Sequence, residues 1–212
     1  SGSQNWFGFA SAALISCFIG ISLWLTNRNK QETNLGLREA FLLTNSAWLL
    51  SGIFGALPFV FSDLGLSFTD ALFESISGIT TTGSTILTSI EVASPGIILW
   101  RALLQWLGGI GIIVMALAIL PMLSVGGMQL FKTETYEASD NAIPRARQLA
   151  GGIFAVYASL TLFWTGMLWL AGMSGFDSLI HAMTTLATGG YSSKTESIGA
   201  FDSVTIELII IF

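Results

Sequence analysis

Thr80-Thr81-Thr82-Gly83-Ser84-Thr85 is a run of hydroxyl residues around one glycine, set in a chain that otherwise reads as membrane protein. A half-polar segment, residues 67–79, comes just before it. A few more polar residues follow, then a long apolar run. That order predicts a re-entrant hairpin, a half-helix that dips into the bilayer and an extended strand that climbs back out. Non-helical backbone is tolerated at membrane depth only where protein or a water-filled cavity surrounds it. A strand in such a cavity turns its carbonyls towards whatever passes, which is how cation filters replace an ion's water shell.

Composition supports the membrane reading. Apolar residues make up 52% of the chain and charged residues 10%, against about 25% charged in soluble domains. The net charge of −5 comes from few groups, and no basic run points to nucleic acid. The single cysteine, Cys17, excludes a disulfide within one chain and reads as a small hydrophobe. There is no zinc-ligand spacing, no phosphate-binding glycine loop and no nucleophile–base pair, so an enzyme is not expected and no cofactor is implied.

A helix needs about 20 apolar residues to cross a bilayer. Spans are expected at 6–25, 40–61, 97 to about 130, and 149–172. Half-helices, too short to cross, are expected at 68–79 and 176–186. Polar connectors at 27–38 and 132–147 separate them, with Pro144 ahead of the next helix. The last apolar run, 204–212, cannot cross by itself, so the chain is expected to be a piece of a longer protein. Arg28, Lys30, Arg38, Lys132, Arg145 and Arg147 lie on one side, against Arg101 and Lys194 on the other. That bias puts the first set in the cytoplasm and has both glycine loops entering from outside.

The chain repeats itself. An offset of 107 pairs Asp70 with Asp177, Thr81 with Thr188, Gly83 with Gly190, Thr85 with Ser192 and Arg38 with Arg145. Each unit is span, half-helix, loop, span. Two crossings per unit keep successive units parallel, related by an axis along the membrane normal. The expected fold is therefore an all-α membrane protein with tandem helix–pore-loop–helix repeats around a central pore. Its parts are an extra helix at 1–30, a first repeat at 31–131 and a second, truncated in its last helix, at 132–212.

Glycine permits backbone angles that let successive carbonyls face inward, and the carboxyl ends of the half-helices favour a cation. Asp70 and Asp177, at the helix starts, read as caps, with direct attraction of ions as the alternative. Glu74 and His181 occupy matching places on the half-helices. They read as hydrogen-bonding posts behind the loops, with proton coupling as the functional alternative. Gly108, Gly109 and Gly111 read equally as packing glycines or as a gating hinge. Arg101 and Glu207 are expected to snorkel at span ends, and the tryptophans to anchor at the interfaces.

The residues resemble the Trk/Ktr/HKT potassium transporters, and within them the bacterial Trk-type membrane subunit. The resemblance rests on Asp70-Ala71-Leu72-Phe73-Glu74-Ser75, Thr80-Thr81-Thr82-Gly83, Gln105-Trp106-Leu107-Gly108-Gly109-Ile110-Gly111-Ile112, Ile119-Leu120-Pro121, Gly126-Gly127-Met128-Gln129-Leu130, Phe176-Asp177 and Thr188-Gly189-Gly190-Tyr191-Ser192. It implies four such units around one potassium path in the bacterial inner membrane, with loops entering from the periplasm. It implies a homodimer and a cytoplasmic ring of nucleotide-binding regulatory subunits. Carried over by residue, the potassium-coordinating positions are Thr81, Thr82 and Gly83, and Thr188, Gly189 and Gly190. A serine replaces a filter glycine in sodium-preferring relatives, so Gly83 and Gly190 imply potassium. The competing expectation is a non-conducting membrane scaffold with degenerate loops.

Overall fold

The computed structural model describes residues 5–28, 37–123 and 142–211, all helix and loop with no strand among them. The helices are α1 (Asn5–Asn27), α2 (Leu37–Val60), α3 (Phe68–Ile79), α4 (Pro95–Leu123), α5 (Ala142–Leu170), α6 (Gly175–Leu186) and α7 (Val204–Ile211). Four of them, α1, α2, α4 and α5, are long and apolar enough to cross a membrane. The chain is an all-α membrane protein.

The two short helices have the same physical origin. Each is 12 residues long, about 18 Å, roughly half the depth of a bilayer core. Each starts at a serine. Ser67 Oγ accepts the Asp70 N–H at 3.2 Å and donates to the Asp70 carboxylate at 2.7 Å. Ser174 and Asp177 repeat this at 3.1 and 2.7 Å. The serines are the caps and the aspartates their partners three residues on, which refines the role expected of Asp70 and Asp177.

The ends match too. Thr81 N–H donates to Gly78 O, and Thr82 N–H to Ser77 O, both at 2.9 Å. Thr188 N–H donates to Thr185 O, and Gly189 N–H to Thr184 O, again both at 2.9 Å. This is the Schellman closure, which requires a left-handed residue just past the helix.

Helix α4 is the axis of the described fold. It packs against α3 and α6, while α2 covers α3 and α5 covers α6. Ala56, Phe59, Ala71, Leu104, Ile180 and Met183 meet in one core drawn from α2, α3, α4 and α6. Outward, Leu14, Phe18, Leu162 and Leu170 stay exposed on α1 and α5, as expected of a surface bathed in lipid.

Two local expectations change. Helix α5 already begins at Ala142, so Pro144, Arg145 and Arg147 belong to the helix and not to the connector. Proline is tolerated there because N–H groups of a first turn have no intrahelical partner. Helix α4 runs unbroken through Gly108, Gly109 and Gly111. A Cβ at Gly108 would overlap the Ile79 carbonyl, and one at Gly109 would lie 2.6 Å from the Tyr157 hydroxyl and 3.0 Å from Ala187 Cα. The double glycine therefore lets α4 pass between the ends of both half-helices, a packing role. The remainder of the two connectors, the Gly126–Leu130 stretch and the repeat limits near 30 and 131 lie outside the described residues.

Candidate functional site: two glycine loops held by one helix

The structure brings the predicted site residues together. The two loops touch: a Cβ on Gly83 would overlap the Gly189 carbonyl oxygen. Their backbones agree closely. Thr81 and Thr188 have φ of 55° and 53°, and Gly83 and Gly190 have φ of 80° and 79°. Thr82 and Gly189, between them, are not left-handed. A left-handed conformation is easy for glycine but a genuine outlier for a β-branched residue, costing on the order of 1–3 kcal/mol. Two threonines hold it at equivalent places. Thr82, Thr188 and Gly190 are exposed, Thr81 and Gly83 half-buried, and Gly189 buried.

Behind the first loop, Glu74 is fully buried. Its carboxylate accepts the Thr85 hydroxyl at 2.8 and 3.0 Å and the Ile86 N–H at 3.1 Å. Arg101 of α4 pairs with it through Nε at 2.7 Å. Behind the second loop, His181 Nδ1 meets Asp177 O at 2.8 Å, and its Nε2 meets Ser192 Oγ at 3.0 Å. Glu74 with Thr85, and His181 with Ser192, are the same pairing at the repeat offset. The expected posts behind the loops are present.

Arg101 is not at a span's edge. It is 1% exposed, pairs with Glu74, donates from Nη1 to Ser192 O at 3.3 Å and stacks on the Tyr191 ring with the guanidinium 4.0 Å from its centroid. A buried carboxylate demands a counter-charge, which overrides snorkelling. One cation six residues into an apolar helix, and one anion on a half-helix, were the available signals. Glu207 is exposed as expected. Trp100 and Trp106 act as interior donors, to Gly55 O and Thr161 Oγ1, both at 2.9 Å.

Further ties cross between the units. Tyr191 donates its hydroxyl to Glu74 O at 2.9 Å and to Ser84 O at 3.2 Å. Gln105, fully buried, bonds the second loop twice. Beyond the loops, Thr195 donates its backbone N–H to Glu91 at 2.8 Å and its hydroxyl to the same carboxylate, while Ile90 N–H donates to Thr195 Oγ1 at 2.9 Å. The Thr195 bonds, helped by nearby Lys194, hold the Glu91 carboxyl down at about 2. Among the described residues no three His, Cys, Asp or Glu cluster as a metal site.

A family model described as TrkH, cation transport protein, matches residues 6–212. The chain belongs to that family. It is 45% identical over 205 residues to the Trk system potassium uptake protein TrkH of Escherichia coli K12, covering 95% of this chain and 42% of that protein. It is 50% identical over 163 residues to TrkI of Halomonas elongata, covering 77% and 33%. The crystal structure of the potassium transporter TrkH from Vibrio parahaemolyticus superposes with a TM-score of 0.83 at 36% identity, over 97% of this chain and 41% of that one. This TrkH-family chain thus spans between a third and about two-fifths of the length of those relatives.

Proposed function

We propose that this chain supplies two of the loops of a potassium uptake pore in the bacterial inner membrane, with the loops facing the periplasm. The observation that carries the reading is the repeated backbone of the two touching loops. In each, the N–H groups at the helix end are turned back into the half-helix, and alternating left-handed residues follow. Alternation of handedness brings successive carbonyls to one side of a chain.

Thr81, Thr82 and Gly83, with Thr188, Gly189 and Gly190, are the oxygen donors on this reading. Gly189 O, which already accepts the Gln105 amide, has a second lone pair for the ion. The carboxyl ends of α3 and α6 meet at the same place and add partial negative charge. Carbonyls hold a potassium ion without the fixed charge that would trap it. Relatives named as potassium uptake proteins support the choice of ion. Further units complete the ring, and a second copy and a cytoplasmic nucleotide-binding regulatory subunit are the partners the family resemblance implies.

The test is ion uptake by cells producing the full-length protein with Gly83→Ser. A side chain there meets the Gly189 carbonyl, so potassium-over-sodium discrimination is expected to fall by about tenfold, ~1.4 kcal/mol. Unchanged uptake and discrimination would favour a scaffold with loops that conduct nothing.

A further inference from the structure

Gln105 is buried in the wall of α4, and both ends of its amide are used on the second loop. Nε2 donates to Gly189 O at 2.8 Å, and Oε1 accepts the Tyr191 N–H at 3.1 Å. A carbonyl can only accept and an N–H can only donate, so these partners fix which end of the amide is which. The pair of bonds spans the peptide groups on either side of Gly190, as a neighbouring strand would. The fit is also steric. A Cβ on Gly189 would fall on the Gln105 amide group itself, so glycine at 189 and glutamine at 105 are matched halves of one contact.

Among the described residues the clamp is made at the junction of the two units. By the repeat offset, Gly189 corresponds to Thr82 of the first loop. That loop is stapled differently, by Glu74 and Arg101. Arg101 and Gln105 stand one turn apart on α4, and both act on the second unit's loop.

We infer that Gln105 is a positioning residue for ion selection: its side-chain amide sets the orientation of the Gly189 carbonyl and holds the Gly189–Tyr191 backbone open to the ion path. The inference rests on the pore reading above. It predicts that selectivity, and not only folding, depends on a donor and an acceptor at position 105.

The experiment uses the full-length protein with Gln105→Glu and Gln105→Met, beside Gly83→Ser. Potassium and sodium uptake are measured between about pH 5 and about pH 9, the range in which protein carboxyls with shifted pKa values titrate. A protonated glutamate has the shape of glutamine and offers a hydroxyl donor with a carbonyl acceptor, whereas its ionised form has no donor for Gly189 O. Gln105→Glu should therefore discriminate like wild type at the acidic end and lose about tenfold at the alkaline end, from the one lost bond to Gly189 O. Wild type read at the same pH is the reference for each variant, because His181, bonded to Ser192 of the same loop, is a titratable group of its own. Gln105→Met, which keeps the volume and loses both bonds, should show the reduced ratio at every pH with a raised KM for potassium.

If Gly83→Ser changes the ion ratio and neither Gln105 variant does, the inference about Gln105 fails while the pore reading stands. If Gly83→Ser also leaves the ratio unchanged, the pore reading itself fails. Loss of folded protein in both Gln105 variants at every pH, judged by gel filtration, would assign Gln105 to folding alone and overturn the inference.

Discussion

The two half-helix and loop units share a backbone and differ in what holds it. Ser67 and Ser174 start equal helices, and Thr81 and Thr188 end them at nearly the same φ. Yet the first loop is anchored by a buried ion pair, Glu74 with Arg101, and the second chiefly by neutral side chains, His181 and Gln105, with one further bond from Arg101 to Ser192 O. The shared part is local: a cap, a glycine, a helix closure within a few residues. The differing part is tertiary and comes from α4. The loop backbone is thus written twice by local rules and braced by different side chains.

The largest expected effect comes from breaking the charged brace. Arg101→Met leaves Glu74 buried without a counter-charge, which costs ~3–5 kcal/mol. Ser192→Ala, at the neutral brace, should cost about 1 kcal/mol. Thermal unfolding in detergent measures both, and equal losses would erase the distinction between the two units. Glu74→Gln on top of Arg101→Met should recover part of the loss, because the unpaired charge is gone.

Next comes the shared axis. Gly108→Ala drives a methyl into the Ile79 carbonyl, an overpacking cost of ~1–3 kcal/mol. Gly151→Ala in α5, where nothing lies within 4 Å, should instead stabilise by about 0.5–1 kcal/mol. Opposite signs in the same unfolding assay would sharpen the view that α4 at Gly108, unlike α5 at Gly151, lies hard against its neighbours.

A smaller effect tests the left-handed threonines. Thr81→Gly and Thr188→Gly should each raise stability by about 1 kcal/mol through relief of strain while lowering uptake. Stability gained with uptake intact would mean the hydroxyls do nothing for the ion.

The smallest effect lies at the rim, where Thr195 clasps Glu91. The Glu91 carboxyl falls from its ordinary 4.5 to about 2 in the folded protein. A depressed carboxyl contributes stability that is fully present above its unfolded value and is lost as pH falls through the folded one. The contribution should be constant from neutral pH down to about 4.5 and fade towards about 2, and Glu91→Gln should remove that acid dependence. An unchanged acid limb in that variant would detach the clasp from stability.

Legibility in the sequence followed the same division. Residues 68–79 were readable as a half-helix because the cap, the half-polar face and the threonine–glycine end all lie within the segment, and the structure has Phe68–Ile79. The second runs one residue longer at its start, Gly175–Leu186, since Ser174 and not Asp177 is the cap. The 107-residue offset predicted equivalent backbones, and Tyr191 even bonds Ser84, its counterpart at that offset. The place of Arg101 is not legible locally, because its partner Glu74 is 27 residues away and nothing nearby says that the side chain points inward. Gln105 carries no local sign of its role, its partners being 84 and 86 residues distant. Side chains that brace one unit from another are set by packing, which periodicity does not carry.

The most direct test of the central claim is anomalous diffraction from the full-length protein crystallised in rubidium. The account predicts an ion peak at coordination distance from oxygens of Thr81–Gly83 and Thr188–Gly190 together. Peaks only elsewhere, with these two loops ordered and empty, would contradict it.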